Sequence, residues 1–223
     1  MIKAIYYKEW IKTRIFFPLA FALSLGFTGY AILKLARVIK MRGVEHLWEI
    51  LISRDVVFIE NLQYLPLMMG LVLGIVQFIP EMLQKRLKLT LHLPYPRQKM
   101  ILRMLSYGFV MLVAIFVIQY AILFFYLRSI LAPELVSRIL LTSAPWFVCG
   151  LSIYFLSAWI CLEPTWKRKF INILISVGVV SIYFLSPIPQ AYDTFIPLMV
   201  LFTVCSLFFP LLSVQRFKEG KQD

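Results

Sequence analysis

Six stretches of the chain contain no Asp, Glu, Lys or Arg: residues 15–33, 61–80, 104–127, 139–162, 170–192 and 194–215. Together they occupy 132 of the 223 residues. An α-helix rises about 1.5 Å per residue and the hydrocarbon of a bilayer is about 30 Å thick, so roughly 20 apolar residues cross it. Backbone N–H and C=O groups in hydrocarbon must bond to one another, which leaves helices and closed barrels. The period-2 alternation of a membrane barrel is missing from the runs. They predict an all-α, polytopic membrane protein with six transmembrane helices, over residues 15–36, 57–80, 104–127, 142–162, 170–187 and 194–215. These form one transmembrane domain, residues 15–215, preceded by an N-terminal segment 1–14 and followed by a tail 216–223.

A hydrophobic content of 61% and a mean hydropathy of +0.83 exclude a soluble domain built on one core. The net charge of +12 is strongly one-sided. If the runs alternate in direction, 16 basic residues fall on the side of the N-terminus and 7 on the other, which predicts both termini in the cytoplasm. Around the first run the bias vanishes, because Lys34, Arg37, Lys40 and Arg42 balance Lys3, Lys8, Lys12 and Arg14. The basic face is expected to neutralise anionic lipid headgroups and to meet a cytoplasmic protein, not nucleic acid. The first run has spanning length and no small-residue cleavage site after it, so it is expected to stay as a helix. Cys149, Cys161 and Cys205 lie in apolar runs without paired or metal-ligand spacing and read as packing residues.

Residues 1–14 mix Tyr6, Tyr7 and Trp10 with lysines and predict an interfacial helix, with Ile2, Ile5 and Tyr6 on one side. Residues 40–55 predict a short helix on the outer surface. Gly70 and Gly74 form a Gly-x-x-x-Gly pair, which favours close helix packing, within the chain or between copies. Intramembrane polar groups are few: Asn61, Gln63, Gln77, Gln119 and Asn172, with Glu60 at the outer border. Hydrogen bonding between helices and the lining of a path are both open for them, and Glu60, Asn61, Gln63 and Gln77 are the candidates for a translocation path. The lack of any charge at mid-depth argues against a proton-coupled carrier and against a voltage sensor. Pro18, Pro66, Pro145, Pro197 and Pro210 mark expected kinks, and Pro187 with Pro189 an outer turn.

Catalytic constellations are missing from the pattern. No Gly-x-x-x-x-Gly-Lys phosphate loop occurs, so the chain is not expected to hydrolyse ATP itself. His46 and His92 fall on opposite predicted sides and cannot share a metal. Ser152 and Ser157 sit in apolar helix without a base and are expected to bond to their own backbone. Neither enzyme activity, nor a metal, nor a cofactor bound by this chain is expected.

The cytoplasmic loop 81–103 carries the most information. Glu81 follows the second run; a basic, Leu-rich element comes next, with Lys85, Arg86, Leu87, Lys88 and Leu91; then Pro94 and Arg97 lead back to the membrane at Ile101. In this order the chain resembles the membrane subunit of ABC exporters of the six-span, short-subunit class, related to polysaccharide, drug and haem exporters. The resemblance extends to the architecture: a connecting segment, six spans and both termini inside. It implies a permease subunit, in which Glu81, Lys85, Arg86, Leu87, Lys88, Leu91, Pro94 and Arg97 form the element that couples to a separate cytoplasmic ATPase. ATP and Mg would reside on that partner. It further implies a multi-pass protein of the bacterial inner membrane, working as a homodimer or beside a second permease subunit.

Two departures stand out. Lys85 and Arg86 replace the Gly-Thr that often precedes the first Leu, and Lys88 replaces an acid, a change that an acidic docking groove on the ATPase would complement. Residues 186–194 leave little room for the elaborate outer hairpin common in the family. The period-2 spacing of Leu87, Leu89, Leu91 and Leu93 fits an extended strand, whereas the resemblance implies a short helix. A non-transporting scaffold or assembly subunit is the alternative function.

Overall fold

In the computed structural model, residues 2–53, 59–83, 96–186 and 188–219 are described. They form helices α1 (Ile2–Thr13), α2 (Phe16–Ser53), α3 (Leu65–Leu83), α4 (Arg97–Arg128), α5 (Pro133–Leu162), α6 (Trp166–Ile182), α7 (Ile196–Ser206) and α8 (Phe209–Lys218), with no strand among the described residues. Five segments are long and apolar enough to cross a membrane: Phe16–Met41, Glu60–Leu83, Gln98–Arg128, Pro133–Leu162 and Ile196–Lys218. The chain is built as an integral membrane protein. The fifth expected crossing is shorter, because α6 has 17 residues and rises only about 26 Å.

Two sequence expectations gain detail. The first helix does not end at the membrane border; it continues to Ser53 through a break at Gly43, whose φ of 80° and ψ of 166° are open to glycine but not to a residue with a Cβ. The last run is split into α7 and α8. Pro210 has no N–H to give to the preceding turn, and the chain crosses from one helix to the other by i→i−3 bonds, Leu207 N–H to Val204 O at 3.2 Å and Phe208 N–H to Cys205 O at 3.1 Å. Of the expected kink sites, Pro18, Pro66, Pro197 and Pro210 fall in the first turn of a helix, where no intrahelical partner is lost. Pro145 lies in the interior of α5, and Pro80 near the end of α3.

α5 is the centre of the bundle, in contact with α3, α4, α6, α7 and α8. It has no single apolar stripe, as expected of a helix enclosed on several sides. Its closest partner is α3. The two run parallel: a Cβ at Gly70 would strike the carbonyl of Gly150, and one at Gly74 would strike the Ser157 hydroxyl. A Cβ at Gly150 would come within 2.6 Å of Pro66 O. The Gly-x-x-x-Gly pair is therefore spent inside the chain, on α5, where missing side chains let two backbones approach.

Hydroxyls complete the packing. Ser157 and Ser143 donate to the carbonyls of Tyr154 and Leu140 at 2.8 and 2.9 Å. Ser152 behaves differently from the expectation of backbone bonding. Thr203 uses its proton on Met199 O at 2.8 Å, so Ser152 donates to Thr203 at 2.6 Å and accepts from Tyr183 at 2.8 Å. Each hydroxyl donates once, and the relay ties α5 to α7 and to the end of α6.

The outside of the bundle is apolar, with Leu19, Val117, Phe125, Phe170, Leu174 and Leu201 exposed. Such a surface fits lipid rather than water. At the far end of α6 the chain turns back irregularly: Tyr192 Oη donates to Ile182 O at 3.0 Å and accepts from Ser186 N–H at 2.9 Å. Gln190, at φ 61°, donates its N–H to Thr142 at 3.2 Å.

Candidate functional site

Buried charge concentrates at the end of the bundle where α3 and α5 finish and α4 begins. α1 packs there against α3 and α4. Glu9 and Lys12 stand one turn apart on α1, so both face the bundle, and Glu81 is drawn from the last turns of α3. Lys12 Nζ lies 2.7 Å from Glu9 Oε1 and 2.8 Å from Glu81 Oε1, and donates to the Gln77 carbonyl at 3.3 Å. Lys8 Nζ reaches the same Glu81 oxygen at 2.8 Å from the rim. Glu9 and Glu81 are fully buried, Lys12 is 6% exposed and Lys8 32%. Two carboxylates and two ammonium groups thus compensate one another, the arrangement that buried charge requires.

The network continues inward through Gln77. Its amide nitrogen donates to Glu9 Oε2 at 2.9 Å and to Met104 O at 2.8 Å, and its oxygen accepts from Tyr154 Oη at 2.8 Å. Those three bonds use both amide protons and the carbonyl oxygen. Tyr154 also approaches Leu105 O at 3.1 Å. On the other side of α1, Thr13 gives its proton to Glu9 O at 2.9 Å and accepts from Tyr107 Oη at 3.2 Å. Tyr6 donates to Ser106 at 3.1 Å, whose own proton goes to Arg103 O. One polar path therefore links α1, α3, α4 and α5. Burial pushes the Glu9 carboxyl above its ordinary range, against the pull of the Lys12 ammonium.

A third buried carboxylate fixes the other terminal helix. Glu163, just past α5, is fully buried; Ser213 donates to it, and Arg216 Nη1 lies 3.1 Å away. Thr165 donates to its other oxygen at 3.3 Å. The two termini are thus bound to the same end of the bundle by separate glutamates. Replacing Glu163 by Gln removes the charged partner of Arg216 and is expected to cost about 2 kcal/mol, read as faster hydrogen exchange in α8 than in α3.

The sequence-predicted residues divide. Glu81 and Gln77 enter the network. Glu60, Asn61 and Gln63 stand in and beside a 3-10 turn before α3, at its opposite end, with Glu60 and Asn61 exposed. Thirteen residues lie between Gln63 and Gln77, and from Leu65 at the start of α3 to Gln77 the helix rises about 18 Å, so the four candidates for a path are not brought together. Lys85, Arg86, Leu87, Lys88, Leu91 and Pro94 lie outside the described residues; Arg97 opens α4 and its side chain is likewise outside them. Missed in the sequence were Glu9, Lys12, Tyr107, Tyr154, Glu163 and Arg216. Glu9 and Lys12 at i,i+3 were the available signal, since an acid and a base one turn apart on an aromatic-rich helix share a face.

Comparison of the chain with family models, with curated proteins and with solved structures finds no match.

Proposed function

We propose that the chain is the membrane subunit of an ABC-type transporter, an exporter, that couples ATP hydrolysis on a separate cytoplasmic subunit to movement of a substrate across the membrane. The observation that carries the reading is the position of Glu81. It lies in the last turns of α3, directly before the basic, Leu-rich residues 84–95, and it is gripped by Lys8 and Lys12 of α1. Force applied to that loop by a partner reaches α3 through the chain, α1 through the ion pairs, and α4 and α5 through Gln77. A helix end tied to α1 by buried ion pairs, and to α4 and α5 through the hydrogen bonds of Gln77, is suited to transmit a partner's motion.

In this reading α6 also crosses, as the fifth of six spans, completed by the turn after Ile182, and the end bearing α1 and α8 faces the cytoplasm of a bacterial inner membrane. Two copies, or one copy and a second permease subunit, stand over two ATPase subunits. ATP draws the ATPases together, and that state is favoured by its differential contacts with Leu87, Leu91 and the surrounding Lys85, Arg86, Lys88 and Arg97. The bundle is thereby biased from inward-facing to outward-facing.

Leu87→Asp and Leu91→Asp place a charge where the docking surface needs apolar area. Both variants are expected to insert into the membrane at normal yield and to lose coupling to the ATPase. Unchanged coupling in both contradicts the assignment.

A further inference from the structure

A lateral trough of about 550 Å³ opens between α4 and α5, floored by Phe116, Tyr120, Phe124 and Phe147, with Val117 and Phe125 exposed on its rim. Tyr120 and Phe147 meet edge to face at 5.5 Å, and Tyr120 hides its hydroxyl by donating to Leu140 O at 2.8 Å. The lining offers a ligand almost nothing but hydrocarbon. Along α4 the trough runs from Val113 to Phe125, about 18 Å of helix rise, close to the depth of one leaflet of a hydrocarbon core about 30 Å thick.

At the end of this trough stands Arg128. Its guanidinium lies over the Phe124 ring, 5.9 Å from the centroid, at the last residue of α4, and is exposed. Among the described residues it makes no ion pair with a carboxylate. A guanidinium presents a planar fork of donors that matches the oxygens of a phosphate. Apolar length below and an exposed guanidinium above are the two halves of a site for one molecule: an acyl chain and the phosphate to which it is joined.

We infer that the α4–α5 trough binds a single membrane phospholipid, with one acyl chain lying along Phe116, Tyr120 and Phe124 and its phosphate held by Arg128. The site is independent of the ion network at the opposite end of the bundle and of any ATPase. A second copy of the chain seated in the trough is the competing occupant.

The test is native mass spectrometry of the full-length protein, purified in mild detergent and titrated with a phosphatidylglycerol of defined chain length. Wild-type protein is expected to hold one lipid per chain that resists detergent exchange. Arg128→Gln should weaken its binding about fivefold, the worth of one basic side chain at a headgroup, and Arg128→Lys should restore most of it. Ala121→Trp fills the trough and should abolish retention while α-helical content and elution volume stay unchanged. Arg138→Gln removes a charge from the same end of the bundle and should leave retention as in wild type. Equal losses in Arg128→Gln and Arg138→Gln would overturn the site in favour of general surface charge. Dimers broken by Ala121→Trp, with no lipid retained in wild type, would overturn it in favour of a second copy.

Discussion

Replacing Lys12 by Met is expected to be the most damaging single change in the molecule. The substitution keeps most of the side chain's length and removes the ammonium that touches both Glu9 and Glu81. Two fully buried carboxylates are then left without the ammonium between them, while Lys8 pairs with Glu81 from the rim. Breaking one partner out of a buried ion network costs about 3–5 kcal/mol, because the remaining charge is left uncompensated. On the scale of a chain of this size that corresponds to a fall of about 10 °C in the melting temperature of the detergent-solubilised protein. Glu81→Gln on the Lys12→Met background removes one of the two stranded charges and should recover part of the loss. A melting temperature within a degree of wild type for Lys12→Met would show that the network carries no load.

The same network predicts a pH dependence with a definite sign. Burial raises the Glu9 carboxyl above its ordinary range. The folded protein then holds a proton that the unfolded chain has already released, so the contribution of Glu9 falls as pH rises from the ordinary carboxylate value through the raised one. Glu9→Gln should flatten that slope. Lys12→Met removes the group that favours ionised Glu9, and its destabilisation should be smaller below the raised value than at neutral pH.

The second large effect lies at the α3–α5 contact. Gly70→Leu points a side chain at the Gly150 carbonyl and at Ile153 Cγ2, where even a Cβ would come within 2.9 Å of the methyl. The obstacle is backbone and cannot rotate away, so the helices must separate. Overpacking of this kind costs about 3 kcal/mol, and separation would also pull Gly74 away from Ser157 and Gln77 away from Tyr154. Gly178→Leu is the matched control, since a Cβ at Gly178 meets nothing within 4 Å. It should express and melt like wild type or slightly better, as a helical glycine is replaced by a stronger helix former. Similar melting temperatures for the two variants would contradict the packing described for Gly70.

The helices themselves were legible because a membrane imposes length and excludes charge. The charge-free runs starting at 61 and 104 lie within Glu60–Leu83 and Gln98–Arg128. Less legible were the places where one local feature changes a helix: Gly43 breaks α2 without ending it, and Pro210 divides a run that composition presents as continuous. The run beginning at residue 170 yields a helix that stops at Ile182, where Tyr192 turns the chain by bonding to two backbone groups ten and six residues back. Side-chain bonding of that kind leaves no trace in hydropathy. Glu81 was visible as an isolated acid at the end of a run, but its partners lie 69 and 73 residues away on α1. Pairing across such a separation follows from how helices pack, which a single sequence does not encode in any local pattern. For Gly70 and Gly74 the sequence named the small-residue face, and only the fold assigned it to α5.

The proposed coupling of this bundle to a separate ATPase is tested by purification of the tagged protein from its native host in mild detergent. Mass spectrometry of the associated proteins and an ATPase assay are then performed on the same fraction. The proposed function predicts one P-loop ATPase in stoichiometric amount, with ATP turnover that Leu87→Asp or Leu91→Asp abolishes. Recovery of the intact protein without any ATPase, across several mild detergents, would contradict it and move a non-transporting scaffold to the front.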